Sequence, residues 1–177
     1  MKRLFVAIDL PRGLKKSLVS ISSGLEQFRP VPEKQLHITL LFLGDTDESE
    51  IPDIIEKLSG ISADAYSVYT NGPGAFPSMK NPRVLWIGLK DHGNIQYLQE
   101  QISNRLDSYN QDSAEKKYIP HITVARSRKR GSKADEFLNR AKEYTPREFF
   151  VDSFQLYESR LSGRGAEHRV LKTFYLD

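Results

Sequence analysis

The chain carries two copies of a short motif whose side chains could perform acid–base chemistry. Residues 37–39 and residues 121–123 both read His-Ile-Thr, and each copy is followed by an aliphatic residue. His37 and His121 are 84 positions apart, close to half of the 177-residue chain. A duplicated fold would give equivalent residues this spacing, so the sequence predicts that two related structural units each contribute one motif.

The four polar side chains of the motifs form a set suited to cleaving a phosphodiester. Imidazole titrates near pH 6.5, so one histidine can be neutral while the other is protonated. A neutral ring can take a proton from an attacking water, and a protonated ring can give one to the departing sugar oxygen. The hydroxyls of Thr39 and Thr123 can donate to the non-bridging phosphate oxygens. The set predicts metal-independent hydrolysis with His37 and His121 as an acid–base pair.

Both motifs fall in predicted β-strands, over residues 36–43 and 119–125. Side chains alternate between the two faces of a strand, so His37 and Thr39 share one face while the aliphatic residues between and after them share the other. The second motif repeats this arrangement. We therefore expect two strands that pack their aliphatic faces into a core and present their polar faces to one cleft.

Other interpretations of the motifs stay open from the residues alone. A single His-x-Thr in a strand is usually a structural pair, although two copies with aliphatic neighbours favour a functional site. The chain has no cysteine, which excludes thiolate nucleophiles, disulfides and Cys-based metal sites. Two histidines without a nearby carboxylate supply too few ligands for a usual zinc site, so we expect neither metal nor cofactor.

The elements that must position the motifs alternate along the chain. We expect an α+β (α/β layered) fold with helices on the outer faces of sheets, formed by residues 1–177 as a single domain. Turn residues predict loops at 71–74 and 162–165. Hydrophobic periodicity predicts strands over 4–10, 36–43, 65–70, 84–89, 119–125, 148–157 and 170–176, and helices from Pro11 to residue 25 and over 47–58, 95–106 and 134–144.

Charge and hydropathy bear on location and partners. The formal net charge is only +3, a weak argument for nucleic acid, although residues 126–130 and Lys133 form a basic cluster. That cluster is either a solvated loop or a contact for nucleic acid. The first apolar run is interrupted by Asp9, and no stretch reaches the roughly 18 to 20 apolar residues of a membrane span. We expect a cytoplasmic monomer that does not associate with membranes.

The motif residues are also where the sequence resembles a known family. Residues 36–44 and 120–126 resemble the two-histidine (2H) phosphoesterase superfamily and, within it, the RNA 2′,3′-cyclic phosphodiesterases once named 2′–5′ RNA ligases. Residues 3–8 and 83–88 are similar to that family as well, so the resemblance covers nearly the whole chain. It implies a bilobal fold with two pseudo-symmetric lobes of sheet and helices around a central cleft.

The resemblance also implies an activity and roles for single residues. The expected reaction is hydrolysis of RNA 2′,3′-cyclic phosphate ends to 2′-phosphates, with reverse joining of RNA ends through a 2′,5′ link. By the family's pattern His37 is the proton donor and His121 the proton acceptor, roles that the sequence alone does not distinguish. Arg126 matches a family position expected to hold phosphate, and the alternative for it is an exposed residue of the basic loop.

Aromatic residues near the motifs are candidates for stacking on a base. Phe76 follows a Gly/Pro-rich segment and is the best of them, while Phe42 alternates to the face opposite Thr39 and is expected in the core. Tyr118 is a third candidate. His168 falls near a position where the family often has tyrosine, and we expect it at the surface rather than as a third catalytic group. His92 is interpreted as a turn residue.

The substrate class follows from these expectations. RNA 2′,3′-cyclic phosphate ends or nucleoside cyclic phosphates are the expected partners of the cleft. ADP-ribose 1″,2″-cyclic phosphate and 2′,5′-linked oligonucleotides remain alternatives, because the same two-histidine chemistry would act on them. A non-catalytic module that binds RNA ends is the alternative outside the enzymes.

Overall fold

Nine strands and four α-helices occur in the residues that the computed structural model describes, which are 1–109, 117–163 and 165–177. The strands are β1 (Lys2–Asp9), β2 (Phe28–Pro30), β3 (His37–Thr46), β4 (Tyr66–Ser78), β5 (Asn81–Lys90), β6 (His121–Ser127), β7 (Glu148–Val151), β8 (Ser153–Ser162) and β9 (Gly165–Tyr175). The helices are α1 (Arg12–Ser22), α2 (Ile51–Ser59), α3 (Asn94–Arg105) and α4 (Asp135–Lys142). This composition confirms the expected α+β class.

The strands form one antiparallel sheet in the order β7-β4-β5-β6-β3-β1-β8-β9, and β2 pairs with β6. The two motif strands, β3 and β6, meet at the middle. Along this order each is followed outward by three strands, which form the two lobes of the sheet, and the short strand β2 is added beside β6. The lobe of His37 is built from both ends of the chain, and the lobe of His121 is built from its middle. The two lobes are therefore not two consecutive halves of the sequence.

The helices cover one face of the sheet and leave the other face of the motif strands open. Ile38, Leu40, Ile122 and Val124 are all buried, together with apolar residues of every helix. Burying each such side chain stabilises the fold by roughly 1.5–3 kcal/mol, so the aliphatic positions of both motifs hold β3 and β6 against the helices. The polar residues of the motifs are consequently directed to the opposite face.

Helix ends follow local chemistry. Pro11 precedes α1, as predicted from its position, but α1 ends at Ser22 rather than near residue 25. Asp47 does not begin α2. It caps a short 3₁₀ turn over Glu48–Glu50, accepting from the backbone N–H of Ser49 at 2.9 Å, and α2 begins at Ile51.

No helix among the described residues is long and apolar enough to cross a membrane.

The loop predicted at residues 71–74 is wrong, because this segment lies inside β4. The register with β5 shifts between Thr70 and Pro73, and this irregularity accommodates a proline in a strand. Gly74 is required for another reason. A Cβ atom there would lie 2.1 Å from the ring of Trp86, so only glycine lets that ring cross the strand.

The single strand predicted over residues 148–157 is two strands that break at Asp152. β7 pairs with β4 and β8 pairs with β1, which lie in different lobes of the sheet. The last strand begins at Gly165, earlier than predicted. The connection predicted at 162–165 matches the end of β8 and the start of β9, and Arg164 within it lies outside the described residues.

Candidate active site

One backbone pair joins the two motif strands. Ile38 of β3 pairs with Ile122 of β6 in an antiparallel arrangement. Because both isoleucines are buried on the helical side, the residues before and after them face the opposite side. There the four motif side chains line one cleft of about 390 Å³, which is also lined by Arg126 and Phe76, so the six predicted site residues are brought together: His37, Thr39, His121, Thr123, Arg126 and Phe76.

The ring of His37 is held by two hydrogen bonds. Its Nδ1 lies 2.6 Å from the carbonyl oxygen of Gln35, and its Nε2 lies 3.0 Å from Oγ1 of Thr39. A carbonyl oxygen can only accept, so Nδ1 carries the hydrogen and Nε2 of the neutral ring accepts from Thr39. The ring also packs against Phe5, with the centroids 5.1 Å apart. These contacts fix the orientation of the imidazole toward the cleft.

Burial determines the protonation state of His37 in the free protein. Its pKa is lowered from 6.5 to about 4, chiefly by desolvation; the hydrogen bond to Gln35 opposes this shift, and the nearby His168 contributes to it. His37 is therefore neutral at pH 7 until an anion enters the cleft. A phosphate beside the ring favours the charged form and raises the pKa.

His121 is held in the same way. Its Nδ1 lies 2.6 Å from the carbonyl oxygen of Ile119, again two residues earlier in the chain, so Nδ1 carries the hydrogen and Nε2 holds a lone pair. The edge of the ring meets Phe76 at 4.9 Å, and Trp86 lies 5.8 Å away between centroids. Burial lowers the pKa of His121, and Arg126 lowers it as well. A neutral ring with a fixed Nε2 lone pair is suited to accept a proton.

Arg126 lies on the rim of the cleft, at the end of the motif strand β6. It is exposed, and it forms no ion pair with the carboxylates of the described residues. Its direct partner on β2 is Arg29. Two like charges opposite each other on neighbouring strands destabilise a sheet unless an anion lies near them. This position supports an anion-binding role better than that of a loop residue.

The two candidate phenylalanines lie on opposite lobes of the cleft. Phe76 lines it as predicted, beside His121. The expectation that Phe42 lies in the core is wrong, because it is 55% exposed and lines the cleft. The cause is a β-bulge in which Leu40 is an extra residue between the pairs formed by Thr39 and Leu41 with β1. The extra residue reverses the alternation and turns Phe42 to the cleft face.

Tyr118 does not line the cleft. Its hydroxyl donates to the backbone carbonyl of Thr39 at 2.9 Å, which connects the segment before β6 to the first motif. His92 lies in a turn with a φ of 58°, so its interpretation as a turn residue is confirmed.

The expectation that His168 lies at the surface is wrong, because the structure places it in the cleft. Its ring meets His37 edge-on, with centroids 5.4 Å apart, and meets Phe5 in the same way at 4.9 Å. The β8–β9 hairpin brings it there, because the side chain of Gln35 donates to the carbonyl oxygen of Ala166 and holds the hairpin tip beside the first motif. Ser159 and Arg3 also line the cleft and are not predicted from the sequence.

Among the residues that the structure describes, no group of three or more His, Asp or Glu side chains is arranged to hold a metal ion. The side-chain donors that line the cleft are imidazoles, hydroxyls, guanidinium groups and the amide of Gln35. Such donors suit a phosphate anion rather than a hard cation.

Known proteins share this architecture. A structure of TT0787 from Thermus thermophilus superimposes with a TM-score of 0.81 at 27% identity, covering 98% of this chain and 97% of that one. The structure of LigT from E. coli in its apo form gives a TM-score of 0.81 at 23% identity, with 99% and 97% covered, and supports the fold. These matches confirm the expected two-histidine phosphoesterase fold.

Sequence relatives extend over the same length. A protein of Archaeoglobus fulgidus named RNA 2′,3′-cyclic phosphodiesterase is 30% identical over 175 residues, covering 97% of this chain and 99% of the relative. A protein of the same name from Thermotoga maritima is 33% identical over 177 residues, with 96% and 92% covered. The profile of the 2′-5′ RNA ligase superfamily matches residues 16–163. The chain belongs to the 2′-5′ RNA ligase superfamily.

Proposed function

We propose that this chain is an RNA 2′,3′-cyclic phosphodiesterase that converts cyclic phosphate ends to 2′-phosphates without a metal ion. The observation that carries the proposal is that both histidines present Nε2 to one cleft, each fixed by a carbonyl oxygen on Nδ1. The names of the full-length relatives support the substrate class. The proposal treats residues 1–177 as one functional unit, since the lobe of His37 needs both ends of the chain.

The first step is attack by water. Nε2 of His121 takes a proton from the water as its oxygen bonds to phosphorus. The hydroxyls of Thr39 and Thr123 and the guanidinium of Arg126 donate to the non-bridging oxygens and stabilise the charge that develops there. These donors are already in place around the cleft, so little reorganisation accompanies the reaction.

The second event is departure of the sugar oxygen. The bond between phosphorus and O3′ breaks, and protonated His37 gives its Nε2 proton to O3′, leaving the phosphate on O2′. His37 must gain that proton before or during binding, because burial keeps it neutral in the free protein at pH 7. The negative charge of the bound phosphodiester favours this protonation. The Thr39 hydroxyl, 3.0 Å from Nε2, turns its hydrogen to a phosphate oxygen when His37 is charged.

The same geometry supports the joining reaction. A 5′-hydroxyl in the place of water would give its proton to His121 and bond to phosphorus while O3′ leaves, which forms a 2′,5′ link. Phe42 and Phe76 are the proposed stacking surfaces for the terminal base, because both rings line the cleft from opposite lobes. Cytoplasmic location and a monomeric state stay predictions from the sequence.

The direct test is product analysis. The purified protein is treated with EDTA and incubated with nucleoside 2′,3′-cyclic phosphates and with a short RNA that carries this end. We expect 2′-phosphate products and equal rates after Mg²⁺, Mn²⁺ or Zn²⁺ is restored. A 3′-phosphate product would reverse the assigned leaving group, and activity that requires a restored metal would overturn the metal-independent mechanism. Turnover of an ADP-ribose cyclic phosphate alone would favour that alternative substrate.

A further inference from the structure

A polar strip extends from the first histidine along the wall of the cleft. Arg3 of β1 pairs with Ser159 of β8, and Ser159 pairs with His168 of β9, so the three residues form one row across three strands. All three line the cleft that contains His37. His168 lies next to His37, and Arg3 lies at the far end of the row. The strip therefore belongs to the lobe of His37 and not to the lobe of His121.

His168 is the residue of the strip that lies next to the catalytic pair. Its ring is half-buried and packs edge-on against both Phe5 and His37. Neither of its ring nitrogens is hydrogen-bonded to another residue of the described part of the chain, unlike those of His37. A histidine packed in this way, with both nitrogens available beside a cleft, has the means to bind a ligand.

The donors of the strip are chemically suited to an anion. Arginine is always charged and presents a planar fork that matches phosphate oxygens, and serine and histidine add further donors. In the proposed mechanism the scissile phosphate is bound by the two threonines, Arg126 and the catalytic histidines, and the strip has no part in it. The strip is therefore available for a second anionic group of the same substrate.

The chemistry of the substrate indicates which group this is, given the proposed function. In a ribose 2′,3′-cyclic phosphate, C3′ carries the leaving oxygen and is bonded to C4′, which bears the 5′ carbon. C2′ is bonded instead to C1′, which bears the base. When O3′ lies at His37, the 5′ side of the ribose is directed to the side of His37, where His168 and the rest of the strip lie.

We propose that Arg3, Ser159 and His168 form a second phosphate subsite that binds the phosphate on the 5′ side of the terminal nucleoside. In RNA this group is the last internal phosphodiester, so the subsite selects RNA ends over free nucleoside cyclic phosphates. The inference rests on the proposed function, because the roles of His37 and His121 set the direction of the ribose.

The test compares adenosine 2′,3′-cyclic phosphate with the same compound carrying a 5′-phosphate. We expect the wild-type kcat/KM to be at least about 10-fold higher for the 5′-phosphorylated substrate, the effect of one charge-assisted contact. Arg3→Ala and His168→Gln should each lower this ratio toward one. Arg169→Ala is the matched control, because it removes a cation from the residue of β9 next to His168. Arg169 pairs with Glu158 and interacts with its carboxylate on the other face of the sheet. Its ratio should equal that of the wild type.

Binding of products gives a second measurement that needs no turnover. Adenosine 2′,5′-bisphosphate should bind more tightly than adenosine 2′-phosphate, and Arg3→Ala should remove most of the difference. Equal kcat/KM for the two substrates, or a ratio unchanged in both strip variants, would overturn the subsite while leaving the proposed function intact. A wild-type protein that hydrolyses neither substrate would overturn the proposed function and the subsite together.

Discussion

Ile38 and Ile122 face each other directly across the two central strands of the sheet. Because these strands run in opposite directions, His37 lies on the same side of the pair as Thr123, and Thr39 lies on the same side as His121. Each histidine thus has the threonine of the other motif across from it. A phosphate between the strands would be approached by one imidazole and one hydroxyl from each side, the arrangement that in-line displacement between two proton-transfer groups requires.

The pKa shifts predict an acidic optimum for activity. Burial lowers the pKa of both His37 and His121 below the ordinary value of 6.5. A mechanism that needs one protonated and one neutral histidine gives a bell-shaped kcat/KM profile whose maximum lies between the two pKa values of the free enzyme. We expect this maximum below pH 6.5, measured with adenosine 2′,3′-cyclic phosphate. A maximum at pH 8 would show that the free-enzyme histidines are not shifted in this direction.

Stability should also depend on the titration of His37. Above pH 6.5 this ring is neutral in both the folded and the unfolded state, so it has no effect. As the pH falls from 6.5 to about 4 the unfolded state binds the proton first, which lowers the free energy of unfolding by up to about 3 kcal/mol. Urea midpoints at pH 7.5 and 4.5 measure the loss, and His37→Gln should lose less stability than the wild type. Equal losses in both proteins would contradict the assignment.

The exposed phenylalanine of the cleft should contribute to substrate binding rather than to folding. Phe42→Ala is expected to raise KM by roughly 5- to 100-fold, because stacking on one base is worth about 1–3 kcal/mol. Thermal stability should change little, since the ring is 55% exposed. Phe150→Ala is the matched control, because Phe150 is 61% exposed and does not line the cleft. If both variants have the same KM, Phe42 does not contact the substrate.

Gly74 should be required for the packing of Trp86, whose ring lies beside His121. In Gly74→Ala the new Cβ would overlap the ring of Trp86, which must then move, and overpacking of this kind costs about 1–3 kcal/mol. Trp86 is the only tryptophan in the chain, so its fluorescence emission reports the displacement directly. Gly72→Ala, in the same strand, has no atom within 4 Å of its Cβ and should leave emission and stability unchanged. Unaltered emission in Gly74→Ala would contradict this packing.

The motifs and the general fold could be predicted because they depend on local periodicity. Alternation within each strand is enough to direct His37 and Thr39 to the face opposite Ile38, and helical spacing locates all four helices. The loop prediction for residues 71–74 is wrong because a proline between two glycines usually indicates a turn. They lie in a strand because Pro73 and Gly74 pair with Ile87 and Trp86 of β5, and single-residue signals do not contain that pairing.

Two residues of the cleft could not be placed from the sequence for a related reason. Phe42 changes face because β1 pairs with β3 through a bulge, which depends on the partner strand. His168 reaches His37 because the β8–β9 hairpin is tied to Gln35, a contact between residues 131 positions apart. One feature of the sequence does indicate a role for His168, which stands near a position where the family often has tyrosine. Ser159, which lies opposite His168 in β8, supports this indication once the pairing is known.

The paired action of the histidines is tested most directly by turnover of single and double variants. His37→Ala and His121→Ala should each lower kcat on an RNA 2′,3′-cyclic phosphate end by roughly 10²- to 10⁴-fold while the far-ultraviolet circular dichroism stays that of the wild type. The kcat of the double variant should be only slightly lower than that of the less active single variant, because both rings act on one transition state. His92→Asn, a substitution that tolerates the left-handed turn, should retain wild-type kcat. Near-normal kcat in either alanine variant would contradict the two-histidine mechanism.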